Sequence, residues 1–204
     1  MRRGNARVPD TMRTVSRLEG LLKPAALTGS AEKADLTIEE RRGVVQLQLI
    51  ARNGKAPQLA VGIMTLLGRT STLAPMEGDG TEELFVCATG PLEYWVLIES
   101  EGAAEAVERI RDISRECASL FDQSHGRFVV RLSGPRAQSV LGKGTALDLR
   151  PSHFPARGGA HTTIAHIPAL VIGRGPAVFD VSAAASYAGS FVAWLKEAGR
   201  KSLQ

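Results

Sequence analysis

The sequence predicts an α+β fold, with mostly antiparallel strands and helices packed on one face. Two observations carry this. Strand-like apolar runs are joined by short turns, Gly90–Pro91 and Gly173–Arg174–Gly175–Pro176. Two amphipathic helical patterns, one mid-chain and one at the end, supply faces that must pack on those strands. No internal repeat or low-complexity tract competes with this reading.

Residues 1–33 read as a basic arm that takes its order from a partner. Arg2, Arg3, Arg7, Arg13 and Arg17 mix there with Pro24, Gly29 and Ser30, and the one local element expected is a helical turn over 15–22. Residues 34–204 read as a single globular region. Residues 36–40 alternate apolar and polar, and Val45, Leu47 and Leu49 repeat the period of two beyond a bend at Arg42–Gly43. Pro57 opens an apolar stretch closed by Gly68, which fits a helix with Pro in its first turn and Gly past its end. Residues 75–81, holding Gly78, Asp79 and Gly80, read as a loop.

Runs 84–88 and 94–98 form a hairpin about Gly90–Pro91. Ala103, Val107, Ile110 and Ile113 then recur at helical spacing, with Glu105, Glu108, Arg109 and Asp112 on the opposite face. Residues 120–132 return to strand chemistry, and Ser133 is placed to cap a short helix running from Pro135 to Gly142. Runs 162–172 and 177–181 read as strands. A last helix from Ala183 buries Tyr187, Phe191, Trp194, Leu195 and Ala198 and ends at Gly199.

Composition narrows the class. With 204 residues, 44% of them hydrophobic, the chain can bury a substantial core. No apolar run approaches the roughly 20 residues of a membrane-spanning helix, and no apolar segment follows the N-terminal arginines as a secretory signal requires. Cys87 and Cys117 lack a CxxC partner and read as buried thiols in a reducing compartment, so the cytoplasm is expected. The net charge of +4 is concentrated in the arm, and aromatic content is 5%. A surface that stacks single-stranded nucleic acid needs exposed aromatics among its cations, so neither a nucleic acid nor a membrane is an expected partner.

Motifs for small-molecule chemistry are mostly excluded. Gly142–Lys143–Gly144 lacks the third glycine of a dinucleotide loop, follows a helix, and is not succeeded by the Ser or Thr of a phosphate-binding loop. His125, His153, His161 and His166 have no metal-ligand spacing; His161 and His166 fall five apart in one predicted strand, on opposite faces. No GxSxG elbow supports a serine nucleophile. The densest polar cluster is Asp122–Gln123–Ser124–His125–Gly126–Arg127. There Asp122 and Ser124 can cap local N–H groups, Gly126 permits a tight turn, and Arg127 can clamp a carboxylate. Asp122, Ser124, His125, Gly126 and Arg127 are therefore the candidate binding residues, for an anionic ligand or a partner's carboxylate. The competing reading is a structured turn with an internal Asp–Arg pair. No catalytic or metal-binding residue is assigned.

An ordered set of short motifs carries a resemblance. After that cluster come Arg131–Leu–Ser–Gly–Pro–Arg136, Lys143–Gly144, Leu147–Asp148–Leu149 with Pro151 and Phe154–Pro155. Ala165–His166–Ile167–Pro168, Phe179–Asp180, Ser186–Tyr187 and Trp194–Leu195 follow, with Gly90–Pro91 and Trp95 upstream. Over about residues 35–200 the chain resembles the gamma subunit family of heterotetrameric sarcosine oxidase. One departure is Thr145, where that family often has Cys.

The resemblance implies a fold related to folate-binding aminomethyltransferase-like proteins. It also implies membership in a complex of alpha, beta, gamma and delta subunits that oxidatively demethylates sarcosine, with the large alpha subunit as the chief partner. FAD, FMN, NAD, tetrahydrofolate and zinc are then expected in the other subunits and no cofactor in this chain, which would be structural rather than catalytic. A related N-methyl amino acid dehydrogenase, such as methylglutamate dehydrogenase, and a free-standing folate-binding protein are the alternatives.

Overall fold

The computed structural model describes Leu18, the backbone at Ala25–Ala26, and residues 35–99 and 103–200. Two antiparallel sheets form its centre. With strands numbered along the chain, the first sheet runs in the order β1 (Ala25–Ala26), β2 (Thr37–Glu40), β8 (Arg127–Ser133), β11 (Val178–Ala184), β10 (Ile167–Gly175), β9 (Arg157–Ile164). The second runs β4 (Gly78–Gly80), β5 (Leu84–Gly90), β6 (Glu93–Ile98), β3 (Val45–Ala51), β7 (Ala118–Asp122).

Side-chain alternation turns these sheets into four layers. In the first, Phe128, Val130, Leu132, Phe179 and Val181 point to one face and pack on α3 (Ala137–Gly142) and α4 (Ala188–Arg200) through Leu141, Phe191 and Leu195. In the second, Leu47, Leu49, Val86, Val96 and Ile98 pack on α1 (Ala56–Leu66) and α2 (Ala103–Ser114) through Leu59, Ile63 and Ile110. The remaining faces meet each other, Phe85, Cys87, Trp95 and Leu97 against Leu170 and Ile172. The α+β class therefore holds, each sheet carrying its helices on one face. Strands β5 and β6 read as unbroken apolar runs because both of their faces are covered, and each such buried side chain contributes roughly 1.5–3 kcal/mol.

The hairpin, α1, α2 and most strands lie where the sequence places them, but Ala183, expected to open the last helix, lies in β11, and α4 begins at Ala188. Pro57 sits in the first turn of α1, and Gly68 beyond its end has a left-handed φ of 64°. Other positions differ. The bend at Gly43 (φ 75°) does not join paired strands; it carries the chain from β2 in the first sheet to β3 in the second. Residues 78–80, expected as a loop, form edge strand β4, which approaches Phe85 so closely that a Cβ on Gly78 would lie 2.7 Å from the ring.

The expected single strand over 162–172 is two strands. They turn at Ala165–His166, where two non-glycine residues hold φ of 49° and 67°; without Gly or Asn the sequence carries no signal for such a turn. Ser133 is the last residue of β8 rather than a cap, and α3 begins without a side-chain cap. Tyr187 lies in a single 3₁₀ turn before α4 and is 41% exposed, while Gly199 is buried inside that helix.

Two points in the arm rest on the first sheet. Leu18 is buried in its helix-side core with its N–H directed at Glu40 Oε1 (3.3 Å), and Ala25–Ala26 pairs with Thr37–Ile38. The arginines of the arm and the rest of the helical turn expected over 15–22 lie outside the described residues. No helix among the described residues is long and apolar enough to cross a membrane.

Candidate functional site at the seam between the sheets

The polar cluster read from the sequence is the crossing point of the fold. β7 ends in the second sheet and β8 begins in the first, so residues 123–126 carry the chain between them. Asp122 Oδ1 accepts the Ser124 N–H (2.9 Å), Ser124 Oγ accepts the Gln46 N–H (2.9 Å), and the Gly126 N–H closes the turn on the Gln123 carbonyl (3.0 Å). Burial pushes the Asp122 carboxyl up, but the bonds from Ser124 outweigh it and hold the group below its ordinary range.

Arg127 does not pair with Asp122. Asp122 sits opposite Leu47, on the helix-covered face of the second sheet, whereas Arg127 opens β8 and points into the seam. Its Nε donates to Ser182 Oγ (2.8 Å) and its Nη2 to the Ser182 carbonyl (2.8 Å). The guanidinium also stands 5.0 Å from the centroid of Trp95, a cation–π distance. The Ser182 hydroxyl in turn donates to Gln46 Oε1. The internal Asp122–Arg127 pair expected of a structured turn is therefore not formed, and the two side chains lie on different faces.

A second cluster crosses the seam. Arg131 grips Asp180 through Nε and Nη2 (2.7 and 2.8 Å) and reaches Glu82 through Nη1 (2.9 Å). Burial would depress the Arg131 guanidinium, but Asp180 and Glu82 raise it further above its ordinary value. Arg174 lies 4.4 Å over the Phe85 ring with Nη2 3.1 Å from Glu82 Oε2, and its Nε, without a hydrogen-bond partner, faces Asp180 Oδ2 at 3.6 Å. Two arginines thus meet two carboxylates where the sheets touch. Sequence reading singled out Arg131 and Asp180 but missed their pairing. The available signal was a charge at an alternate position between apolar neighbours in each strand.

A third group gathers on Glu93, which accepts from Gln48 Nε2 and Trp95 Nε1 on one oxygen and from Thr89 Oγ1 on the other. His161 Nε2 lies 3.5 Å from that second oxygen. His161 is on β9 and His166 in the turn beyond it, so they do not share a strand as expected.

The remaining motif residues serve the first sheet's helices. Arg136 Nη2 and Lys143 Nζ donate to the carbonyls of Gly199 and Ala198 (2.9 and 3.0 Å), which places two cations at the C-terminal end of α4, where the helix dipole favours them. A Cβ on Gly144 would fall 2.4 Å from the Trp194 ring. Thr145, at the departure from the family pattern, bonds its hydroxyl to Thr162 Oγ1 (2.7 Å) and accepts the Leu147 N–H.

Cys87 is buried in the seam, and desolvation pushes its thiol up to about 12. An open pocket of about 470 Å³ lies beside α3, with Gln138, Ser139, Thr145, Asp148 and Arg150 in its lining. Among the described residues no group of His, Cys, Asp or Glu is arranged to hold a metal ion.

The sequence matches the sarcosine oxidase gamma subunit family over residues 59–201. The chain belongs to that family. It is 32% identical over 166 residues to sarcosine oxidase subunit gamma of Corynebacterium sp. (strain P-1), covering 76% of this chain and 80% of that protein. The Arthrobacter sp. subunit gamma is also 32% identical, over 143 residues, or 70% of this chain and 66% of that one.

Among solved structures, a chain of the heterotetrameric sarcosine oxidase from Corynebacterium sp. U-96, in complex with pyrrole 2-carboxylate, superposes with a TM-score of 0.71. Its identity is 28%, over 86% of this chain and 89% of that chain. The glycine cleavage system aminomethyltransferase T from Bartonella henselae gives 0.57 at 12% identity, over 80% of this chain and 46% of that one. That second likeness is one of fold, and it meets the fold expectation drawn from the sequence.

Proposed function

We propose that this chain is the non-catalytic gamma subunit of a heterotetrameric sarcosine oxidase, serving its assembly. In this reading the complex converts sarcosine to glycine, hydrogen peroxide and 5,10-methylenetetrahydrofolate. The alpha, beta and delta subunits hold FAD, FMN, NAD, tetrahydrofolate and zinc, alpha is the chief contact, and the complex works in the cytoplasm. The observation that carries the proposal is the superposition on a chain of the heterotetrameric enzyme over 86% of the length. The seam supports it: Arg127, Arg131 and Asp180 tie β8 to β11, and the bonds from Arg131 to Glu82 and from Ser182 to Gln46 join the two sheets, so these polar groups are engaged in framework contacts.

Co-expression with the genomic neighbours, followed by size exclusion with absorbance spectra, tests the proposal. The expected result is a large yellow complex that contains this chain and oxidises sarcosine. A chain that elutes alone beside an assembled, active enzyme would overturn it. A yellow complex that contains the chain but oxidises another N-methyl amino acid would reassign the substrate.

A further inference from the structure

The two lateral edges of the second sheet differ. At one edge, β4 is joined to the first sheet by a bridge between Glu77 and Gly158 and by the Gly159 N–H on the Met76 carbonyl. At the other, β7 has β3 on one side and no strand on its outer side among the described residues. The register fixes which of its backbone groups are paired. The Arg52 N–H donates to the Cys117 carbonyl and the Gln123 N–H to the Gln46 carbonyl, both 2.8 Å. Odd-numbered residues of β7 therefore direct N–H and C=O toward β3, and Ala118, Leu120 and Asp122 direct theirs outward.

Two exposed apolar side chains stand beside this edge, with the exposed Asp122 carboxylate at its C-terminal end on the opposite face. Phe121 is 46% exposed on the seam-side face, and Ile50 on β3 is 38% exposed on that same face. An edge with unpaired backbone groups invites a further strand unless something blunts it. The complement of such an edge is an extended backbone bearing an apolar side chain on the Phe121 side.

We propose that the outer edge of β7 receives an extended segment of a partner subunit, which adds antiparallel or parallel as a sixth strand of the second sheet. This rests on the subunit reading above. Size argues for a segment rather than a second copy of this chain. Five residues of edge, about 17 Å at 3.4 Å per residue, flanked by Phe121 and Ile50, fall well short of the roughly 1,600 Å² that a stable stand-alone interface buries. A tethered strand in a complex held by other contacts needs far less.

Hydrogen exchange on the full-length chain alone and in the co-expressed complex tests this. In the complex the amides of Leu120 and Asp122 should exchange at least tenfold more slowly, while the α4 amides change little. Phe121→Lys should weaken retention of this chain during size exclusion of the complex by about tenfold and leave the melting temperature of the lone chain within a degree or two. Equal exchange of Leu120 and Asp122 in the two states, with the complex intact, overturns this proposal and leaves the subunit reading standing. Slow exchange already present in the lone chain overturns it too, showing that another part of the chain, or a second copy, covers the edge. Failure of any complex to form removes the subunit reading itself.

Discussion

The outer faces of the two sheets and the face they share are built on different chemistry. Outside, each sheet meets its helices through aliphatic and aromatic side chains: Phe128, Val130 and Leu132 on one, Leu47, Leu49 and Val96 on the other. Inside, a small apolar patch of Phe85, Cys87, Trp95, Leu97, Leu170 and Ile172 is flanked by Arg127 and Ser182 and by the Arg131–Asp180–Arg174–Glu82 cluster. Apolar contact is non-directional and leaves register loose, whereas the bidentate Arg131–Asp180 pair, which joins β8 to β11 within the first sheet, holds Arg131 where it and Arg174 meet Glu82 of the second. The helices supply burial, and the charged seam sets how one sheet lies on the other.

This contrast breaks first at Asp180. It is 3% exposed and faces two guanidinium groups, so Asp180→Ala takes away their buried carboxylate and leaves Arg131 and Arg174 sharing the more exposed Glu82. Denaturant unfolding should show a loss of about 3–5 kcal/mol, the range for breaking one side of a buried pair. Pairing Asp180→Leu with Arg131→Met should recover much of that loss, because an apolar replacement of both partners removes the unpaired charge. If Asp180→Ala unfolds at the wild-type midpoint, the seam is not held by charge.

Packing inside the same seam gives a smaller effect. A Cβ on Gly159 would lie 2.5 Å from Cys87 Sγ, so Gly159→Ala should cost about 1–3 kcal/mol by overpacking. Adding Cys87→Ala removes the obstructing sulfur. The double variant should then be more stable than the sum of the singles implies, a coupling that a double-mutant cycle reads directly.

The mildest effect concerns Glu82. Burial pushes its carboxyl up, but Arg131 and Arg174 outweigh that and hold it below its ordinary value of 4.5. A carboxylate with a depressed folded-state pKa contributes stability that is present at neutral pH and is lost as pH falls through and below 4.5. Because Glu82 is 55% exposed, the contribution is about 0.2–1 kcal/mol. Unfolding midpoints measured from about pH 6 down to about pH 3 should therefore decline a little less steeply in Glu82→Gln than in the parent.

The outer faces were legible in the sequence because their periodicity is local. Ala103, Val107 and Ile110 announce α2 with no knowledge of what covers it. The seam was not legible, because its meaning lies in pairs 49 residues apart for Arg131 and Asp180 and 55 apart for Arg127 and Ser182. Asp122 and Arg127 are five positions apart in sequence and invite a local pairing, yet the chain changes sheets between them and sends them to opposite faces. The turn at Ala165–His166 was hidden for another reason: tertiary pairing of β9 with β10 enforces left-handed backbone on residues that do not prefer it.

The claim that this chain contributes framework rather than chemistry meets its sharpest test at Arg127, the candidate binding residue that the structure ties to Ser182 and Trp95. Arg127→Lys keeps the charge and loses the two-pronged contact. Turnover with sarcosine, normalised to the flavin in the purified complex, should be compared between parent and variant. A lower yield of complex with unchanged turnover per flavin is the result expected of a residue that ties β8 to β11 and packs on Trp95 across the seam. A full yield with turnover reduced tenfold or more would place Arg127 in the reaction and contradict the account.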